Sequence, residues 1–153
     1  MRESLSLSTP PVATTRGRRG AAGAAMSSVV LSAVLLVAAV VDQAGGQSLV
    51  DHAAAVYAPY GKEADPNLLY GLVYTVAVVD VLLSLLVFRA ARAHRRSAPV
   101  LAVTTVVVTA ALAVLLLATT EYGAQIFPPV WGILALLPPA AGVVTSALLL
   151  RRR

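Results

Sequence analysis

The sequence predicts an all-α fold: a four-pass transmembrane helical bundle with both termini cytoplasmic and a short helix in the first outer loop. Three observations carry that expectation. Four apolar stretches are each long enough to cross a bilayer. Every arginine falls on one side when those stretches are threaded back and forth. Charge is also scarce, with 12% of the 153 residues charged and 58% hydrophobic. Soluble domains average roughly 25% charged and 45–50% apolar residues. The mean hydropathy is +0.81.

Residues 1–19 are polar, contain Ser, Thr and Pro, and end in Arg16-Gly17-Arg18-Arg19; this composition predicts a disordered basic tail. The stretch 20–41 has 22 residues and no charge. The stretch 68–88 has 21 residues and a single charge, Asp80. The stretches 98–120 and 130–150, of 23 and 21 residues, have none. A helix needs about 20 such residues to cross a ~30 Å core at 1.5 Å per residue. In hydrocarbon every backbone amide must pair within its own segment, so even valine-rich stretches are expected to be helical. Residues 151–153 form a basic C-terminal end. No internal repeat is visible.

The charges support the same spans independently. The tail, the link between the second and third stretches (Arg89, Arg92, Arg95, Arg96) and the C-terminal end hold all eleven arginines. The opposite links hold Asp42, Asp51, Glu63, Asp65 and Glu121 against Lys62 alone. The positive-inside rule then places both termini in the cytoplasm and implies a plasma membrane, such as a bacterial inner membrane. The rival reading of residues 16–41 is a cleaved signal peptide. Its apolar run exceeds the usual core of about 7–15 residues, and Val37-Ala38-Ala39 is a poor cleavage match. Either way the later topology is unchanged.

Within the first outer link, Ser48-Leu49-Val50-Asp51 reads as a capping box opening a helix over about 49–58, with Leu49 and Val56 turned toward the bundle. Pro59 and Gly61 end it, and Asp65-Pro66-Asn67 turns the chain into the second span. Tyr57, Tyr60, Tyr70 and Tyr74 gather at this boundary, where an apolar ring with a hydroxyl is at home. Trp131 reads as an interfacial anchor of the fourth span.

Asp80 is the residue most in need of an explanation. An aspartate at this depth costs about 2.5–3.5 kcal/mol to insert, so it should face the bundle and find a partner. No Lys or Arg lies within the spans to pair with it. It is therefore expected to carry its proton and to donate to a hydroxyl of another span. Ser84 shares its face one turn away. Ser32, Thr105, Thr109 and Thr145, with Ser28, fall near its level. Pro138 and Pro139 should kink the fourth span, because each removes an amide and crowds the carbonyl four residues back. Ala24, Ser28 and Ser32 form a small-residue stripe that would suit close helix approach or a dimer.

Several function classes are disfavoured. With no cysteine there is no disulfide, thiol chemistry or thiolate metal site. His52 and His94 fall on opposite sides of the bilayer, so no metal or other cofactor is expected. No phosphate-binding glycine loop or hydrolase triad is present. An enzyme acting on lipid would have only Glu121 and Asp51 near the head groups. The arginines are expected to meet anionic lipid head groups rather than nucleic acid. The sequence therefore favours a non-enzymatic accessory or structural subunit that acts through helix packing, with a protein partner or a second copy of itself. The alternative is a small proton-coupled transporter or channel centred on Asp80.

Overall fold

The computed structural model describes the backbone of residues 13–151 and the side chains of residues 20–151. Four of its helices are long and apolar enough to cross a membrane. They belong to α1 (Ala13–Val41), α3 (Pro66–Arg92), α4 (Ala98–Ala118) and α5 (Pro129–Leu150), while α2 (Ser48–Tyr57) is short. The tail expected over residues 1–19 lies partly outside the described residues, and the range of α1 takes in its last seven. The last two arginines, 152 and 153, also lie outside.

Each helix boundary has a local cause. Asp65 caps α3 by accepting from the amides of Asn67 (2.9 Å) and Leu68 (3.4 Å), with Pro66 in the first turn. Pro99 and Pro129 occupy the first turns of α4 and α5, where a missing amide costs nothing. At its far end α1 widens into a π-helical turn, Asp42–Gly46. A 3₁₀ turn, Ala58–Tyr60, follows α2, and Gly61 closes it at φ +61°, a value natural to glycine. The third span is shorter than its apolar run. Thr120–Glu121 leaves the helix and pairs antiparallel with Ala124–Gln125, forming a hairpin, β1 and β2. Its tip residues Tyr122 and Gly123 both have positive φ, as a tight hairpin turn requires.

The spans form a closed ring in which α1 packs on α3 and α5, and α4 packs on the same two. The spans alternate in direction along the chain, so packed neighbours run antiparallel. One end of the bundle carries Arg89, Arg92, Arg95, Arg96 and Arg151. The other carries α2, the hairpin and five acids. Outward faces present Val30, Leu72, Leu82, Val107, Ile133 and Val143, all exposed, as suits contact with lipid.

The core is divided in two. At the α2 end it is built of large side chains, including Leu35, Tyr70, Val73, Phe127 and Trp131, and is lidded by Leu49 and Ala53 of α2. At the arginine end it is mostly alanine: Ala21, Ala25, Ala90, Ala91, Ala98 and Ala102, with Val87 and Leu149. Between α4 and α5 the approach is close. A Cβ on Gly132 would collide with the Leu117 side chain, and one on Gly142 would lie 2.7 Å from Val106 Cγ2. Trp131, expected at the lipid boundary, is instead buried in the large-residue core at 4% exposure. The helix places that position on its inner face, and the ring fills volume there.

Candidate functional site

The candidate site lies between the two cores. Ser28 and Ser32 of α1, Asp80 and Ser84 of α3, Thr105 and Thr109 of α4, and Thr145 of α5 are all buried. Asp80 itself has no exposed surface. The helical period brings these side chains inward, since each sits on the face its neighbours cover.

Three of the six hydroxyls are occupied by their own helices. Ser32 donates to Ser28 O (2.9 Å) and Thr145 to Ala141 O (3.1 Å), each four residues back; Thr109 donates to Val106 O (3.5 Å). Such back-bonding turns a hydroxyl along its helix rather than across the bundle. Ser28 is different and donates to Pro138 O of α5 (3.1 Å). Thus Pro138 and Pro139, buried inside a continuous α5, present a carbonyl to α1.

Asp80 departs from expectation in one respect. It faces the interior, but neither carboxyl oxygen has a hydrogen-bond partner, and neither does Thr105 Oγ1. The expected bond from Asp80 to a hydroxyl of another span is absent. One turn toward the arginine end, Ser28, Ser84, Thr105 and Thr145 line a cavity of about 10 Å³, with Ala25 and Ala102 in its wall. That is about the room one water molecule occupies. Ala24, Ser28 and Ser32 do not form an outward stripe, since both serines are spent inside the bundle.

A second constellation sits at the α2 end. The Asp42 carboxylate accepts from Ser48 N (3.0 Å), Ser48 Oγ (2.6 Å) and Leu49 N (3.2 Å), and from the buried Tyr70 hydroxyl (2.8 Å). Asp42 therefore caps α2 from outside it and ties it to α3. Ser48 lies inside the helix and Gln47 is the cap residue, at φ 46°, so the capping box read from Ser48 and Asp51 does not form. Tyr74 donates to Gln43 Oε1. Beyond these, α2 meets the hairpin. Tyr57 donates to Glu121 (2.7 Å), His52 Nε2 lies 3.0 Å from Gln125 O, and the Tyr60 ring stacks on Tyr122 at 4.0 Å. The bond to Glu121 pushes the Tyr57 hydroxyl up to about 12, because a phenolate there would lose it and face a carboxylate. Leu49 is buried and Val56 half-buried in this arrangement.

Sequence reasoning named the buried polar residues except Ser146, and it missed the hairpin and the capping role of Asp42. The Tyr122-Gly123 pair was the available signal for the hairpin. Asp42 gave none, as it stands six and seven residues from the amides it caps. Among the described residues no group of three His, Asp or Glu is gathered to hold a metal ion. Comparison of the chain with protein-family models, with curated proteins and with solved structures finds no match.

Proposed function

We propose that this chain is a non-enzymatic accessory subunit of a plasma membrane, acting through its packed helices on a protein partner or a second copy of itself. The arginine end faces the cytoplasm, with both termini there, and binds anionic head groups. The α2 end and its hairpin lie outside. The observation that carries this reading is how little room lies among the core hydroxyls. Small-molecule sites usually enclose about 300–1,000 Å³, whereas the cavity there is about 10 Å³. A bundle with so small a cavity offers its surfaces rather than its interior.

The second reading is a proton-coupled transporter or channel, and one observation favours it: Asp80 is buried without a partner. A carboxyl that glued two helices would be bonded to one of them. A single experiment separates the readings. Purified protein in proteoliposomes, tested with a pH-sensitive dye under an imposed gradient, should pass no more protons than protein-free vesicles. A flux that Asp80→Asn abolishes would overturn the accessory reading in favour of the second. Orientation is tested separately, by reporters fused after Arg96 and near Gly61. The first should report from the cytoplasm and the second from outside.

A further inference from the structure

We propose that the hydroxyl-lined cavity is a hydration site joining Asp80 to the arginine end of the bundle, and to that end alone. The chemistry of its wall fits one water. Ser28 and Thr145 spend their protons on Pro138 O and Ala141 O, and so can still accept. Thr105 Oγ1 has no protein partner although the residue is only 7% exposed, and so can donate. A water among the three accepts from Thr105 and donates to Ser28 and Thr145. That makes three bonds, the number a buried water typically has. The volume of about 10 Å³ holds one such molecule.

Position connects the cavity to Asp80. Ser84 lines it, and Asp80 stands one turn further along the same face of α3, roughly 6 Å away along the axis. Among the described residues no other titratable side chain faces this layer. The sequence has none in residues 20–41 of α1 or anywhere in α4 and α5, and on α3 the nearest are Tyr74 and Arg89. The two ends differ as barriers. From Ser84 to the last residue of α3 is about 12 Å of helix, and to its first about 27 Å. The short side is filled mainly by alanines. The long side holds Tyr70, Phe127 and Trp131 beneath the lid of α2. A water therefore reaches the cavity through the alanine layer.

The test is carbon-13 solid-state NMR of the full chain in phosphatidylethanolamine–phosphatidylglycerol bilayers, with magnetisation transferred from mobile water. Thr105 and Ser84 should gain signal from water faster than Ala77 and Ala135, which lie in the large-residue core. Ala102→Val, which fills the cavity wall, should abolish the gain at Thr105, and Ala113→Val should leave it intact. Should Ala102→Val fail to fold, Thr105→Val keeps the shape without the donor and should abolish the gain at Ser84. Transfer to Thr105 as slow as to Ala135 would overturn the proposal. So would transfer lost in Ala113→Val but kept in Ala102→Val. Hydration without any proton flux leaves this inference standing and removes only the transport reading.

Discussion

The two ends of the bundle are held together by different means. At the α2 end, polar side chains reach across elements: Tyr70 to Asp42, Tyr57 to Glu121, His52 to Gln125. In the arginine half they mostly bond their own helices, and the Ser28–Pro138 bond crosses between spans. Its cohesion comes instead from alanines that let backbones approach. The difference follows what each end must hold, short elements beyond the spans at one and the spans themselves at the other. Near water, a bond between elements fixes loops that apolar packing cannot hold. In hydrocarbon, small side chains bring more atoms into contact, and dispersion rather than the hydrophobic effect supplies the attraction.

This contrast can be broken most severely at Asp42. Asp42→Ala removes the cap of α2 and strands the buried Tyr70 hydroxyl, so unfolding in mixed micelles should register a loss of about 2–4 kcal/mol. Adding Tyr70→Phe should return part of that loss, since the stranded donor is gone. Additive losses in the double variant would show that the two residues do not act together.

Next in size is the close approach of α4 and α5. Gly132→Ala drives a methyl into Leu117 and should cost about 1–3 kcal/mol in the same assay, with relief when Leu117→Ala is combined with it. A neutral Gly132→Ala would mean that the helices part easily there. Ser28→Ala tests the lone cross-span bond described for the polar layer. Bonds of this kind average about 0.6 kcal/mol in membranes, so the change should be small. A loss comparable with that of Asp42→Ala would erase the distinction between the two ends.

The smallest effect is a matter of pH. The Tyr57 hydroxyl is raised from its ordinary value of 10.0 to about 12. A raised value in the fold means that the protonated form is the stabilised one. Its contribution is therefore complete below pH 10 and is lost as pH climbs toward 12. Tyrosinate absorbance should lose one late-titrating ring in Tyr57→Phe. A curve unchanged by that substitution would place the late ring elsewhere.

The four long helices were legible because hydropathy over some twenty residues is a strong, local signal. Asp80 stood out for the same reason, as one charge in an apolar run. What could not be read depends on side-chain direction or on contacts distant in sequence. The Ser28 and Ser32 stripe looked available to a partner until α5 was seen to cover it. Trp131 looked like a boundary residue because its sequence position is at a boundary, though its ring turns inward. Thr120 was counted with the third span because threonine and its apolar neighbours do not announce a strand of two residues. The absence of a partner for Asp80 depends on where each neighbouring side chain points, which no spacing encodes.

The contact between α2 and the hairpin also has an order in time. Tyr57 and Glu121 are separated by 64 positions in the chain, with two of the long helices between them. A growing chain holds α2 in place long before the residues of the hairpin exist. The clasp can close only when α3 and α4 have both been laid down and the hairpin has arrived on the same side as α2. Until then Tyr57 and Tyr60 lack their partners in the hairpin. The clasp thus marks the moment at which the first and second halves of the chain are registered against each other.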